Sequence, residues 1–475
     1  MKKRTVRARA VEPEALSVPK PVVKPDVSDL AGCVEDARQA GLDSDAGPSD
    51  PMDFHSLRGR LETCRDRLPP LYRTAVYDPF VAKLDNLGQQ GFTKILLSDP
   101  NREGIAGLLL DIAHAILQNG EGFQQRATDG FQELVSDLFD GFLSAEDRKA
   151  VNPPDQGAIP PLVKWGNPDF GPYTWPVDAT ISFDVQAPIV NLPPANARHG
   201  ILAWAALGHE TGGHDILHAD TGLLQELADK VNQGLHSAKL GDPFPDYWSE
   251  RIDETASDVL GVLNLGPAAG IGLVGYFRGL NAAFTGSATL RNNGPDQDPH
   301  PADILRGFLA ACCVRRLKFS GAAAWAAVIE DETRKDVTTI RLSGVTISEE
   351  DARKSADVVA EVIMQAKLHA LENHSLGYIQ NWRNTDELIV QQLRGLLTTV
   401  GQLPTKLESG IYAAHAVAAA VTAALSQNAN IPLLFDRMLG ILKKMHDSNP
   451  SWGPLFVAHP GNIVADYAYI DHASL

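Results

Sequence analysis

The segment His209-Glu210-Thr211-Gly212-Gly213-His214 constrains this chain more than any other stretch. It sets a Glu beside one His and a second His five positions on, directly after the apolar, helix-forming run Ile201 to Leu207. A zinc hydrolase needs three protein ligands, an open coordination position and a carboxylate that takes a proton from the attacking water. Where two His ligands share one helical face they stand four apart, with the general base next to the first. At ~100° per residue, a spacing of five puts His209 and His214 roughly 140° apart around an intact helix, too far to share an ion. The spacing therefore predicts a helix widened by one residue, a π-bulge, with Gly212 and Gly213 supplying backbone freedom.

The third ligand is expected on a later helix, and the run Arg251-Ile252-Asp253-Glu254-Thr255-Ala256-Ser257-Asp258 is the best candidate. Glu254 can ligate a metal. Asp258, one helical turn on and on the same face, can accept a hydrogen bond from the free ring nitrogen of a ligand His and fix its tautomer. His214 and His218, four apart, offer an alternative ligand pair on an undistorted helix, one that leaves Glu210 away from its usual place. Asp215 and Asp220 read as solvated charges.

The pattern His-Glu-x-x-Gly-His, followed by acid-Glu-x-x-x-acid, resembles the active site of dipeptidyl peptidase III, a zinc peptidase family whose signature is this one-residue insertion. The resemblance covers the site segments alone. It implies one Zn2+ per chain held by His209, His214 and Glu254, with Glu210 as general base and Asp258 behind a ligand. The family usually has a larger residue where Gly212 stands and a basic one near Ala256. The segment Asp298-Pro299-His300-Pro301-Ala302-Asp303-Ile304-Leu305-Arg306 resembles a His-Pro segment, with an Arg six places after the His, that follows the Glu ligand in several gluzincin peptidases. These include the prenyl-protein-processing kind. That likeness implies that His300 donates to the developing oxyanion and that Arg306 binds a substrate carbonyl or holds the Glu helix in place.

Composition narrows the function classes. A net charge of -17 over 475 residues argues against nucleic-acid binding, which needs clustered Lys and Arg. The one basic cluster is Lys2, Lys3, Arg4, Arg7 and Arg9, in a tail. The longest apolar run, Ala413 to Leu425, is interrupted by His415 and Thr422 and reads as a packed core helix, so no membrane span is expected. The start lacks the apolar block of a signal peptide. Cys33, Cys64, Cys312 and Cys313 are too scattered for a disulfide framework or a zinc finger. They read as reduced and the compartment as cytoplasmic, with specialised secretion left open, and any metal site must use His and carboxylates.

The expected fold is mainly α with a small β-sheet (α+β). A flexible leader (1–52) and a helical N-terminal region (53–150), closing at Ser144-Ala145-Glu146, precede a zincin-like catalytic core (151–317) and a helical C-terminal region (318–475). Thr180 to Val185 alternates like a half-buried strand, and Pro188, Pro193 and Pro194 confine the run after it to a sheet edge. Helices are expected at Gly222 to Leu235 and Asp246 to Leu265, a hairpin within Val337 to Ile347, and a helix cap at Ser348. Tyr247, Tyr276 and Tyr378 each offer a phenol to the oxyanion, while His114 and His415 read as structural. The expected function is zinc-dependent peptide hydrolysis, with a peptide or protein substrate and a further protein partner open to the leader or the C-terminal helices. The alternatives are a zinc hydrolase of a non-peptide amide and a structural or assembly protein with a non-catalytic metal site.

Overall fold

The computed structural model describes residues 25–143, 150–168, 171–399 and 411–452. The basic tail and the helix end at Ser144 to Glu146 lie outside these. The fold is mainly helical with two three-stranded sheets, the α+β class expected. Among the described residues no helix is long and apolar enough to cross a membrane.

The segment read as a flexible leader contains a helix, α1 (Leu30–Leu42). Leu30, Cys33, Val34, Ala37 and Ala40 fall at spacings of three and four and are buried together. They pack on the helix Pro267–Thr285, where Gly279 lets the backbones close in: a Cβ there would lie 2.5 Å from the Cβ of Ala37. This apolar stripe outweighs the disorder-prone composition of its flanks.

Strands β1 (Leu162–Trp165), β2 (Tyr173–Trp175) and β3 (Ile189–Leu192) form a sheet in the order β1-β3-β2, with β3 parallel to β1 and antiparallel to β2. Two expectations are corrected here. Thr180 to Val185 is not a strand: Pro176 leads into the short helix Val177–Thr180 and a 3-10 turn, Ile181–Phe183, which Asp184 ends at φ +60°. Nor is β3 an edge strand. Pro188 and Pro193 flank its paired run and so remove no ladder donor, and the Pro188 carbonyl still accepts from Leu162 N at 3.0 Å. The second sheet joins β4 (Asn293–Gly294) to the expected hairpin, β5 (Ile340–Leu342) and β6 (Val345–Ile347). Ser343 and Gly344 turn it with positive φ, and Ser348 caps the next helix by accepting from Asp351 N.

One large apolar core takes in α1, the helices Gln125–Leu143, Ala413–Ala424 and Ile431–Asp447, and the residues around the His motif. A smaller one lies between Leu57 and Ile189. The Ala-rich helix is fully buried, as expected, with His415 Nε2 3.0 Å from Asp386 Oδ1. His114 is likewise tied to Asp50, 3.1 Å away.

The large core also buries Asp137, whose carboxylate accepts from the Ala413 amide. Burial pushes its pKa up to about 7, against ~3.9 for an unfolded Asp. The folded state thus keeps this proton to higher pH, so its contribution to stability falls as pH rises from about 4 to 7. Asp137→Asn should match the wild type in melting temperature near pH 4 and exceed it increasingly up to pH 8. Parallel pH profiles for the two proteins would contradict this assignment.

Candidate metal centre

Helix α2 (Ile201–His209) runs into a turn of π-helix, Glu210–Asp215, before Ile216–Ala219 resumes the α form. The widening demanded by the five-residue spacing is present. Its glycines act differently from expectation, because Gly212 and Gly213 are not among the positive-φ residues and spend no conformational freedom. They admit a neighbour instead, α3 (Ile252–Leu265). A Cβ on Gly213 would stand 2.5 Å from Ser257 Cα, one on Gly212 2.9 Å from Asn264 Nδ2, and one on Gly208 3.3 Å from Gly261 Cα. This close crossing carries Glu254 to the two His residues.

The helix expected over Asp246 to Leu265 is broken into Phe244–Ser249 and α3. Arg251 occupies the break, its guanidinium donating to the carbonyls of Pro295, Asp296 and Asp298. That anchors the loop bearing His300 over the start of α3.

The ligand atoms of three residues converge. His209 Nε2 and His214 Nε2 are 3.1 Å apart, His209 Nε2 lies 3.3 Å from Glu254 Oε2, and His214 Nε2 lies 3.5 Å from Glu254 Oε1. Donors held about 2.0–2.1 Å from a tetrahedral ion stand about 3.3–3.4 Å from each other, so the spacing of these side chains suits a small metal ion. Proton positions point the same way. His209 Nδ1 lies 2.8 Å from Asp258 Oδ1 and His214 Nδ1 2.7 Å from Asp253 Oδ1. A carboxylate only accepts, so each Nδ1 carries a proton and each Nε2 is the ring nitrogen turned toward the other two side chains. Glu254 Oε2 is buried without a hydrogen-bond donor. A buried group of this composition can hold a metal ion.

The local field favours positive charge. Burial alone would lower the pKa of His209, but Asp258 and Glu254 outweigh it and push it up to about 9. His214 is raised in the same way by Asp253 and Glu254. Glu254, despite its burial, is held well below the usual carboxylate range by the two His residues. Glu210 is different: burial lifts it above that range, more than the His charges pull it down. Its carboxyl has no hydrogen-bond partner among the described residues and faces a cavity of about 480 Å³.

Each remaining candidate has a definite place. Arg306, on α5 (Asp303–Arg315), is buried and donates through Nε and Nη2 to Asp258, both at 2.7 Å, while its guanidinium lies 4.6 Å from the Phe277 ring. Of the two roles implied for it, this geometry serves the holding one. His300 lies at the cavity, 3.3 Å from Glu254 Oε1 through Nε2 and 3.0 Å from Asp298 Oδ1 through Nδ1. Among the tyrosines, Tyr276 lines the cavity, whereas the Tyr247 hydroxyl accepts from Ala302 N and Tyr378 is 48% exposed elsewhere.

His218 completes the array without joining the triangle. Its Nδ1 lies 2.8 Å from Asp178 Oδ2 and its Nε2 3.1 Å from Asp253 Oδ2, so both ring nitrogens face carboxylates. His214, His218 and Asp253 are also close enough to hold an ion, but there the Nδ1 of His214 already has a hydrogen-bond acceptor. The converging ligand atoms make the His209 group the better site. Asp215 and Asp220 are buried, not solvated; Thr174 Oγ1 donates to Asp215 Oδ1 at 3.4 Å and ties β2 to the π turn.

Asp253 is the functional residue that sequence reasoning missed. Its signal was present as the acid before Glu254, matching Asp258 after it. Carboxylates that orient a ligand His raise metal affinity by 10–100-fold, and Asp253→Asn should lower zinc affinity by about that factor. Competition with a chelating dye measures it, and an unchanged affinity would make the Asp253 contact incidental.

Comparison of the chain with protein-family models, with curated proteins and with solved structures gives no match. The functional reading therefore rests on the chemistry of this site.

Proposed function

We propose that the protein is a zinc-dependent metallopeptidase, with His209, His214 and Glu254 holding one ion and Glu210 acting as general base. The observation that carries this reading is the convergence of His209, His214 and Glu254, at contacts of 3.1 to 3.5 Å, beside the buried carboxyl of Glu210, which has no hydrogen-bond partner among the described residues. Zinc held there would supply Lewis acidity, bringing the pKa of a bound water to ~7 and polarising a substrate carbonyl.

The chain's own residues do the rest. Glu210 takes the proton of the attacking water and passes it to the leaving amine, a transfer suited to a carboxyl lifted above its ordinary range. His300 and Tyr276, at the same cavity, donate to the oxyanion as charge develops on it. Asp253 and Asp258 fix the rings of His214 and His209, and Arg306 fixes Asp258. Strand β2 supports a peptide as the substrate. Among the described residues it pairs with β3, and its Tyr173 and Thr174 line the cavity, which sets extended backbone beside Glu210. Four buried free cysteines suit the reducing cytoplasm.

Metal analysis combined with a peptide-library digest tests the proposal. One zinc per chain with cleavage is the expected result. Zinc without cleavage would favour a non-catalytic metal site, and a chain that binds no metal would end both readings.

A further inference from the structure

The helix that follows α3, here α4 (Pro267–Thr285), has two faces with different tasks. One is pared down with glycine. A Cβ on Gly272 would stand 3.2 Å from that of Ala205, one on Gly275 2.7 Å from Leu202 Cδ1, and one on Gly279 2.5 Å from Ala37 Cβ. This face is sealed against α2 and α1. The other carries Leu273, Phe277, Leu280 and Phe284, spaced three or four apart, and all four line the cavity that holds Glu210 and His214. None of the four is buried, and Phe284 is 61% exposed.

Apolar side chains left open in a row along a cleft mark a surface that binds apolar groups. The distribution of charge decides what those groups belong to. His218, Asp253 and His300 gather with the donor triangle, whereas Ala37, Ala40 and Gly41 of α1 line the cavity as small residues that leave it room. Phe277 joins the two regions, because Arg306 lies over its ring and also holds Asp258. Glu210 and the four apolar side chains line one cavity, so a peptide with its scissile carbonyl near Glu210 would set a neighbouring side chain against α4.

We propose that Leu273, Phe277, Leu280 and Phe284 form the specificity wall of this site, which selects peptides with a bulky apolar residue, aromatic or branched aliphatic, next to the bond that is cut. The inference rests on the hydrolase reading for the position of the cut but not for binding. Two measurements separate them. In the digest, wild-type protein is expected to cleave beside Phe, Leu or Ile at least about tenfold faster than beside Gly or Asp, the scale of discrimination that an apolar pocket gives. Leu280→Glu should collapse that ratio by about the same factor.

Calorimetry on the zinc-loaded Glu210→Gln protein reads binding without turnover. A Phe-containing peptide should bind more tightly than its Gly counterpart, and Leu280→Glu in that background should abolish the difference. Zinc content and melting temperature show whether the Leu280 variant is folded; if it is not, Phe284→Ala replaces it, with the same expected collapse. Cleavage or binding with no apolar preference overturns the wall. Apolar-selective binding without any cleavage keeps the wall and overturns the peptidase.

Discussion

Glu210→Gln should hold zinc as tightly as the wild type and hydrolyse peptides about 10²–10⁴-fold more slowly, the range that positioned general bases contribute. The substitution keeps the volume and the polarity of the side chain and removes the one property the mechanism uses, its ability to accept a proton. Metal affinity should survive because Glu210 lies outside the donor triangle of His209, His214 and Glu254. Its surroundings fit the role: the carboxyl is buried, lifted by burial, and without a hydrogen-bond partner among the described residues. The experiment pairs zinc quantification with kcat and KM on one cleaved peptide. A variant retaining more than a tenth of the wild-type kcat would remove Glu210 from the mechanism, and one that loses zinc would make it a structural residue of the site.

Much of the site was legible because its constraints are local. A five-residue gap between two His residues that are to share an ion allows only a widened helix, and Glu254 and Asp258 fall at helical spacing. What was not legible depends on how helices approach one another. Nothing local distinguishes Gly212 and Gly213 as flexible from the same pair as small, and the choice belongs to Ser257 and Asn264 on α3. The role of Asp253 likewise appears only when α3 brings it to His214. Tyr276 could not be separated from Tyr247 and Tyr378 until α4 placed it at the cavity.

The fold misreadings have a different origin, in competing local signals. α1 carried a plain three-and-four pattern at Leu30, Cys33, Val34, Ala37 and Ala40, and the Pro-rich flanks obscured it. At Thr180 to Val185 a period-two alternation coincided with a proline-led helical turn, and over so short a run the turn prevails. At β3 the prolines were read as confining the run to a sheet edge, whereas they bracket a central strand.

Gly213→Ala should abolish the zinc binding proposed for His209, His214 and Glu254 with a single methyl group. The added Cβ would fall 2.5 Å from both Cα and Cβ of Ser257, whereas carbon atoms rest about 3.5–4.0 Å apart. Neither Ser257 atom is the tip of a flexible side chain, so the π turn and α3 must separate by roughly 1 Å. Overpacking of this kind costs about 1–3 kcal/mol of stability. The chemical cost is larger, because His209 and His214 are on one side of the opened contact and Glu254 on the other. Metal–donor distances tolerate about 0.2 Å, and a 1 Å misplacement near reacting atoms costs about 10²-fold in rate. Gly212→Ala is the internal control. Its Cβ would meet the Asn264 amide at 2.9 Å, a side-chain end that can swing aside by giving up its hydrogen bond to the Leu260 carbonyl. The expected order is therefore wild type, then Gly212→Ala close behind, then Gly213→Ala far below, in zinc affinity and turnover alike. If Gly213→Ala kept its zinc and its melting temperature, the two helices would not be in the contact on which the donor triangle depends.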